Sequence, residues 1–202
     1  MYDYMFRYIL LGNSYVGKTA FTQKLSKGLY TNVYEPTIGV DYATKSLLLD
    51  NGKQIKCQIW DTAGQERYSM LLRNYYKDIA GAIIMYDITK RKSFNNLHFW
   101  IKELRNNGPK NVSVILIGNK KDLSGKRVVS KQEAELFAKR HKFFYTEISV
   151  KKEDISEPLY TITKDIYLDI DNRKKGIVVN KQNQNIKIAK TNKQKETCCF
   201  IC

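Results

Sequence analysis

Cysteines able to cross-link a fold are missing from this chain. Of the four in 202 residues, Cys57 stands alone in a strand-like run, and Cys198, Cys199 and Cys202 crowd into the last five positions. A disulfide framework spreads its cysteines through the fold, and a structural metal site needs two separated pairs. Neither pattern is present, which points to the cytosol. No apolar run approaches the ~18 residues needed to span a bilayer. The opening Met1-Tyr2-Asp3-Tyr4-Met5-Phe6-Arg7 has no basic stretch leading into an apolar one, so no secretory signal is predicted. Tyr2 rather than glycine follows Met1, which excludes N-myristoylation. Histidine is nearly absent: His98 and His141 lie far from every motif described below and are expected on surface helices.

What is present is an ordinary folding composition, 43% apolar and 12% aromatic, in a length that suits one domain with a real core. The net charge of +15 is unevenly spread. Residues 173–202 hold eight basic side chains and one acidic, a net of +7, whereas the preceding 172 residues hold 27 and 19, a net of +8. A tail so biased is either a solvated, soluble end or a segment attracted to an acidic surface. The apolar periodicity stops after Asp171, so the chain divides into a folded domain over 1–171 and a flexible basic tail over 172–202.

Within the domain, strands and helices alternate. Phe6 to Leu11 is a short apolar run ending at a glycine-bearing turn. Residues 40–49 and 54–60 flank Asp50-Asn51-Gly52, a hairpin signal, and Ile55, Cys57 and Ile59 alternate with Lys56, Gln58 and Trp60. Ala82 to Tyr86 and Val112 to Ile117 are continuous apolar runs, the mark of parallel strands covered on both faces, and Phe143 to Ile148 supplies a sixth strand. Phe94, Leu97, Ile101 and Leu104 recur at helical spacing. Ser130 and Glu133 form a capping box ahead of Ala134, Phe137 and Ala138, and Ile155, Leu159, Ile162, Ile166 and Ile170 stripe a last helix. The predicted fold is α/β: a six-stranded, mostly parallel sheet with one antiparallel hairpin and helices on both faces.

Three loops that follow predicted strands carry chemistry. Gly12-Asn13-Ser14-Tyr15-Val16-Gly17-Lys18-Thr19 fits the phosphate-binding loop pattern between a strand and a helix. There, successive backbone N–H groups wrap phosphates, Lys18 reaches the β- and γ-phosphates, and the Thr19 hydroxyl binds Mg²⁺. Asp61-Thr62-Ala63-Gly64-Gln65-Glu66 follows a second strand. Its carboxylate can hold Mg²⁺ through water, and Gly64 lets a backbone N–H meet the γ-phosphate. Asn119-Lys120-Lys121-Asp122 follows a third. A carboxylate at Asp122 accepts both N1–H and N2–H₂ of guanine, a donor pair that adenine lacks, so the base is guanine and the ligands are GTP and GDP.

In this order and at these spacings, the chain resembles a Ras-superfamily GTPase from about residue 5 to residue 170. The resemblance implies further roles. Tyr34-Glu35-Pro36-Thr37 is similar to the first switch segment, whose threonine closes over Mg²⁺ and the γ-phosphate. Gln65 falls where a glutamine orients the attacking water, and Tyr30 where an aromatic lies against the base. Ala20, after Thr19, completes the phosphate-side residues. Glu147-Ile148-Ser149-Val150-Lys151 is similar to the last base-binding loop, with Ser149, Val150 and Lys151 at the guanine. The implied catalytic groups are Gln65 and Lys18, and the implied metal ligands are Thr19, Thr37 and Asp61. No arginine of this chain is placed to assist, since Arg67 lies in the second switch. Hydrolysis alone is therefore slow, roughly 10⁻⁴ to 10⁻³ per second in this class, until an activating partner supplies the rest.

Ile38-Gly39-Val40-Asp41-Tyr42, Lys56-Cys57-Gln58-Ile59-Trp60, Tyr75-Tyr76 and Tyr86-Asp87-Ile88-Thr89 resemble the Rab branch, in which Tyr42, Trp60 and Tyr75 take the positions of an aromatic triad read by effectors. The ending Cys198-Cys199-Phe200-Ile201-Cys202 is similar to Rab tails that carry two geranylgeranyl groups on Cys198 and Cys199; it is also a CaaX box with an unusual final residue. The implied partners are a guanine-nucleotide exchange factor, a GTPase-activating protein, Rab effectors, and the prenylation and membrane-extraction machinery. The implied location is the cytoplasmic face of an intracellular membrane, held by lipid, with a cytosolic pool. No nucleic-acid recognition motif is present, so the basic charge is not assigned to nucleic acid. The alternatives are a GTP-binding scaffold with negligible hydrolysis and a GTPase of another branch. Departures from the family pattern are Tyr15, where a small residue is usual, Tyr42 for phenylalanine, Ile148 and Val150 in the base loop, and the stretch Ser69 to Arg73. Tyr15 is expected to leave the loop on its solvent side, where it would crowd the first switch and an incoming arginine.

Overall fold

The structure, a computed structural model, describes residues 2–28, 40–62 and 74–174. Strand β1 (Tyr4–Leu11) leads through the phosphate loop into helix α1 (Lys18–Lys27), followed by β2 (Val40–Leu48) and β3 (Gln54–Thr62). Next come β4 (Gly81–Asp87), α2 (Arg91–Asn95), α3 (Leu97–Asn107) and β5 (Ser113–Asn119). A 3₁₀ segment (Lys121–Lys126), α4 (Lys131–His141), β6 (Phe144–Ile148) and α5 (Ser156–Lys174) complete the chain. The last helix thus continues three residues past Asp171. The apolar period over 94–104 is carried by two helices rather than one, because the chain breaks step at Asn96.

Among the described residues the strands form one six-stranded sheet in the order β2-β3-β1-β4-β5-β6. Only β2 and β3 pair antiparallel, joined through the turn at Gly52, whose φ of 77° suits the glycine there. β1 pairs parallel with both β3 and β4, and the order reverses on either side of it. In open sheets of this kind ligands settle at the carboxyl ends of the strands beside such a reversal. The loop that follows β1 is at that position.

Strand alternation sorts the core into two layers. Phe6, Tyr8 and Leu10 of β1, Ile83 and Met85 of β4, and Ile115 and Ile117 of β5 face α1 and α5, meeting Phe21, Leu25, Leu159, Ile162 and Ile166. Ile9, Leu11, Ala82, Ile84, Tyr86, Val114 and Leu116 face the other way onto Leu97, Trp100, Ile101, Leu104, Ala134 and Ala138 of α3 and α4. The predicted stripe of α5, from Ile155 to Ile170, is buried throughout. Helix α4 is capped by Ser130, whose hydroxyl accepts from the Glu133 N–H, but the Glu133 carboxylate does not complete the box. It pairs instead with Arg91 at 2.6 Å, tying α4 to α2.

Because Ile83 lies at the centre of β4, covered on the α1/α5 face, Ile83→Ala is expected to leave a cavity and cost about 2–5 kcal/mol in chemical denaturation.

Candidate functional site

The phosphate loop is held by its neighbours at both ends. Gly12 adopts φ 138°, and a Cβ there would stand 2.2 Å from the Met85 carbonyl oxygen. Gly17 adopts φ 101°, and a Cβ would stand 2.3 Å from Asn119 Nδ2. Only glycine fits either backbone and either gap. Between them, Asn13 Oδ1 accepts from the Trp100 indole N–H at 2.8 Å, and Val16 is buried in the core. Asn13 and Val16 therefore turn their side chains away and can meet a phosphate only through backbone. Tyr15 is 58% exposed at φ 67°, with the Lys90 ammonium 5.7 Å from its ring centre.

Lys18 opens α1 and is buried; its ammonium donates to the Gly12 and Asn13 carbonyls at 2.8 and 3.1 Å. Burial pushes its pKa down to about 8, partly countered by the charge of Asp61. The next residue, Thr19, donates its hydroxyl to Asp61 Oδ2 at 2.6 Å. A buried cation, a hydroxyl and a carboxylate thus converge where β1 and β3 end. The hydroxyl–carboxylate pair is the hard oxygen donor set that Mg²⁺ takes, usually with its remaining positions filled by water and phosphate. The residues present fit that ion.

The base side is built on Asn119, the last residue of β5, which is buried. Its Nδ2 donates to the Val16 carbonyl at 2.8 Å, and its Oδ1 accepts from the Val150 N–H at 3.1 Å. Asp122 Oδ1 accepts from the Ser149 hydroxyl at 2.7 Å. Lys120 sits at φ 69° and sends its ammonium to the buried Asp87, 2.7 Å away. The other Asp87 oxygen accepts from the N–H and hydroxyl of Thr89 at 2.9 and 2.7 Å.

Further ties join the two base loops. Lys121 pairs with Glu153 at 3.1 Å, and Glu153 also accepts from the Ser149 N–H at 3.2 Å. Lys24 of α1 donates to the Val150 and Glu153 carbonyls at 2.7 and 2.6 Å. Arg127 grips Glu147 with two hydrogen bonds of 2.7 Å. Burial opposes ionisation of Glu147, but the hydrogen bonds from Arg127 and Tyr145 outweigh it and hold its pKa below the usual carboxylate value. Ser149 and Val150 are buried within this frame, and Lys151 is exposed beside it.

Sequence alone did not place Trp100, Asp87, Lys24 or Arg127 at the site, and Glu147 was readable only as the first residue of the last base-binding loop. The first four act as supports from outside every nucleotide-binding motif, and neither the pairing of Glu147 with Arg127 nor the bridging by Asn119 is readable from a loop pattern. Tyr42, Trp60 and Tyr75 are brought together by the structure. Tyr42 opposes Trp60 across the β2–β3 ladder with ring centres 5.2 Å apart, and Trp60 meets Tyr75 at 5.1 Å. Tyr30, Tyr34, Thr37, Gly64, Gln65, Cys198 and Cys199 lie outside the described residues. Ser14 and Ala20 fall in the phosphate loop and the first turn of α1, both half-buried.

A glycine-pinned loop after the central strand, a buried lysine, a hydroxyl–carboxylate pair and a separate carboxylate loop together define a phosphate-loop nucleotide-binding protein of the guanine type. Residues 7–168 match the Ras family. The chain is also 42% identical over 173 residues to the GTP-binding protein ypt3 of Schizosaccharomyces pombe, covering 85% of this chain and 80% of that protein. This protein belongs to the Ras family and is a Rab-type small GTPase. It binds GTP and GDP with Mg²⁺ and hydrolyses GTP, and membership carries dependence on exchange factors, activating proteins and effectors as classes. Among the described residues no helix is long and apolar enough to cross a membrane.

Asn119→Ala would orphan the Val16 carbonyl and the Val150 N–H together, at a cost of roughly 1–3 kcal/mol for each buried group. The expected result in urea denaturation is a loss larger than that of Asp122→Ala, whose partner Ser149 Oγ keeps a second hydrogen bond from the Lys152 N–H at 3.1 Å.

Proposed function

We propose that this protein is a membrane-attached GDP/GTP switch acting in vesicle traffic, with residues 1–171 as the nucleotide-binding domain and 172–202 as a basic tail lipidated at Cys198 and Cys199. One observation carries the reading of the site. Asp122 is fastened to Ser149, and Asn119 joins the loops of residues 12–19 and 149–151, so the base-reading carboxylate and the phosphate loop share one rigid frame.

In this reading the backbone of residues 13–19 wraps the phosphates, Lys18 neutralises charge on them, and Thr19, Thr37 and Asp61 hold Mg²⁺. The ion, when bound, supplies charge neutralisation across the phosphate oxygens. Gln65 orients the attacking water. Thr37 and Gly64 follow the γ-phosphate, so both switch segments change state when it leaves. Tyr42, Trp60 and Tyr75 form the part-exposed aromatic cluster through which an effector senses that change, and their ring contacts support it. The charge bias of the tail supports attachment to an anionic membrane surface beside its lipid. The likeness to a GTP-binding protein along most of both chains supports the switch cycle.

Asp122→Asn tests the base assignment. Replacing the acceptor by an amide should turn preference from guanine towards xanthine, with GTP affinity falling at least tenfold in competition binding. Unchanged GTP affinity in the variant would overturn the assignment.

A second outcome follows from Lys18. Burial pushes its pKa down to about 8, whereas a bound diphosphate would hold the ammonium charged. Above about pH 8, binding must therefore take up a proton, and GDP affinity should fall by up to ~10-fold per pH unit. Below pH 7 the group is charged in both states and the dependence vanishes. Calorimetry at pH 8.5 in buffers of different ionisation enthalpy should register uptake of about three-quarters of a proton; no uptake would refute the lowered pKa of Lys18.

A further inference from the structure

Tyr15 is a bulky residue in a backbone region that side chains avoid, at φ 67° within the phosphate loop. The loop's path there is dictated from outside: by the glycines at 12 and 17, which allow no Cβ, and by the bond from Trp100 to Asn13. Its ring is not loose in solvent, because the Lys90 ammonium stands 5.7 Å from the ring centre. Lys90 is itself on a firm support. Its N–H donates to the Asp87 carbonyl at 3.0 Å, and its carbonyl accepts from the N–H and hydroxyl of Ser93 at 3.0 and 2.7 Å. Asp87 in turn holds Lys120 at 2.7 Å. The turn that presents Lys90 is therefore continuous with the base-side frame.

We propose that Tyr15 and Lys90 form an aromatic–cation latch that holds the phosphate loop in its nucleotide-ready path and slows nucleotide release. The inference rests on the reading of residues 12–19 as the phosphate site. When phosphates leave, the loop loses the ligand that its backbone surrounds, and Tyr15 gains by relaxing towards negative φ. Any such relaxation drags the ring from Lys90, so the latch opposes the motion that accompanies release. Lys90 acts as a positioning residue: the ring, not the nucleotide, is its partner. This separates the latch from a simple field effect, in which the charge of Lys90 would attract phosphates whatever stood at position 15.

The test is the release rate of preloaded mant-GDP from the full chain in Mg²⁺ with excess unlabelled GDP. Lys90→Ala should release about two- to fivefold faster than wild type, the factor that an exposed cation–aromatic contact supplies. Lys90→Arg keeps the contact and should stay close to wild type. In a Tyr15→Gly background, Lys90→Ala should change nothing. An unchanged rate in the single Lys90→Ala variant overturns the latch, and so does an equal acceleration in both backgrounds, which would assign Lys90 to the field effect. A wild-type chain that fails to retain mant-GDP at all would refute the phosphate-site reading instead.

Discussion

The site depends on one side chain more than on any other, the buried carboxamide of Asn119. Its amide donates to the phosphate loop and its carbonyl accepts from the last base loop, while its own backbone ends β5. Gly17 leaves the room for this, since any Cβ there would meet the same amide. Three segments far apart in sequence thus share one residue with both hydrogen-bonding functions satisfied. Buried polar groups that are paired give a unique arrangement, and those left unpaired are costly, so this junction fixes the spacing between the loops at Val16 and Val150.

The sheet makes that junction possible. Because β1, β3, β4 and β5 all run parallel, β1, β3 and β5 all end at one edge of the sheet. Lys18, Thr19 and Asp61 meet there only because the β1–β3 register sets Leu10 beside Asp61. The supports behind them are of two kinds. Trp100, Lys24 and the Arg127–Glu147 pair immobilise loops from the protein side. Asp87 anchors Lys120 and, through the Lys90 turn, reaches Tyr15. Each support holds a loop of the candidate site, and of them only Glu147 belongs to a nucleotide-binding motif.

The aromatic cluster of Tyr42, Trp60 and Tyr75 is assembled by the sheet edge. Its members come from an edge strand, its neighbour, and the segment ahead of β4, with Tyr42 exposed and Trp60 and Tyr75 half-buried. A part-exposed aromatic surface of this kind is well suited to partner binding, since it offers large area and well-defined ring geometry.

Much of this protein was legible before any coordinates. The strand patterns of Phe6–Leu11, Ala82–Tyr86 and Val112–Ile117 and the stripe of α5 named the fold, because burial on one or both faces writes itself into the period of apolar residues. Candidate residues for a nucleotide site were legible too, since phosphate wrapping, metal ligation and guanine reading each demand particular groups at short local spacing. Tertiary structure alone decided the rest. That Trp100 would donate to Asn13, that Glu133 would leave its capping box for Arg91, and that Lys90 would lie over Tyr15 depends on pairs separated by 87, 42 and 75 positions. No local period records such a pair: a long side chain can reach many partners, and which one it meets is settled only when packed strands and helices bring the two ends together.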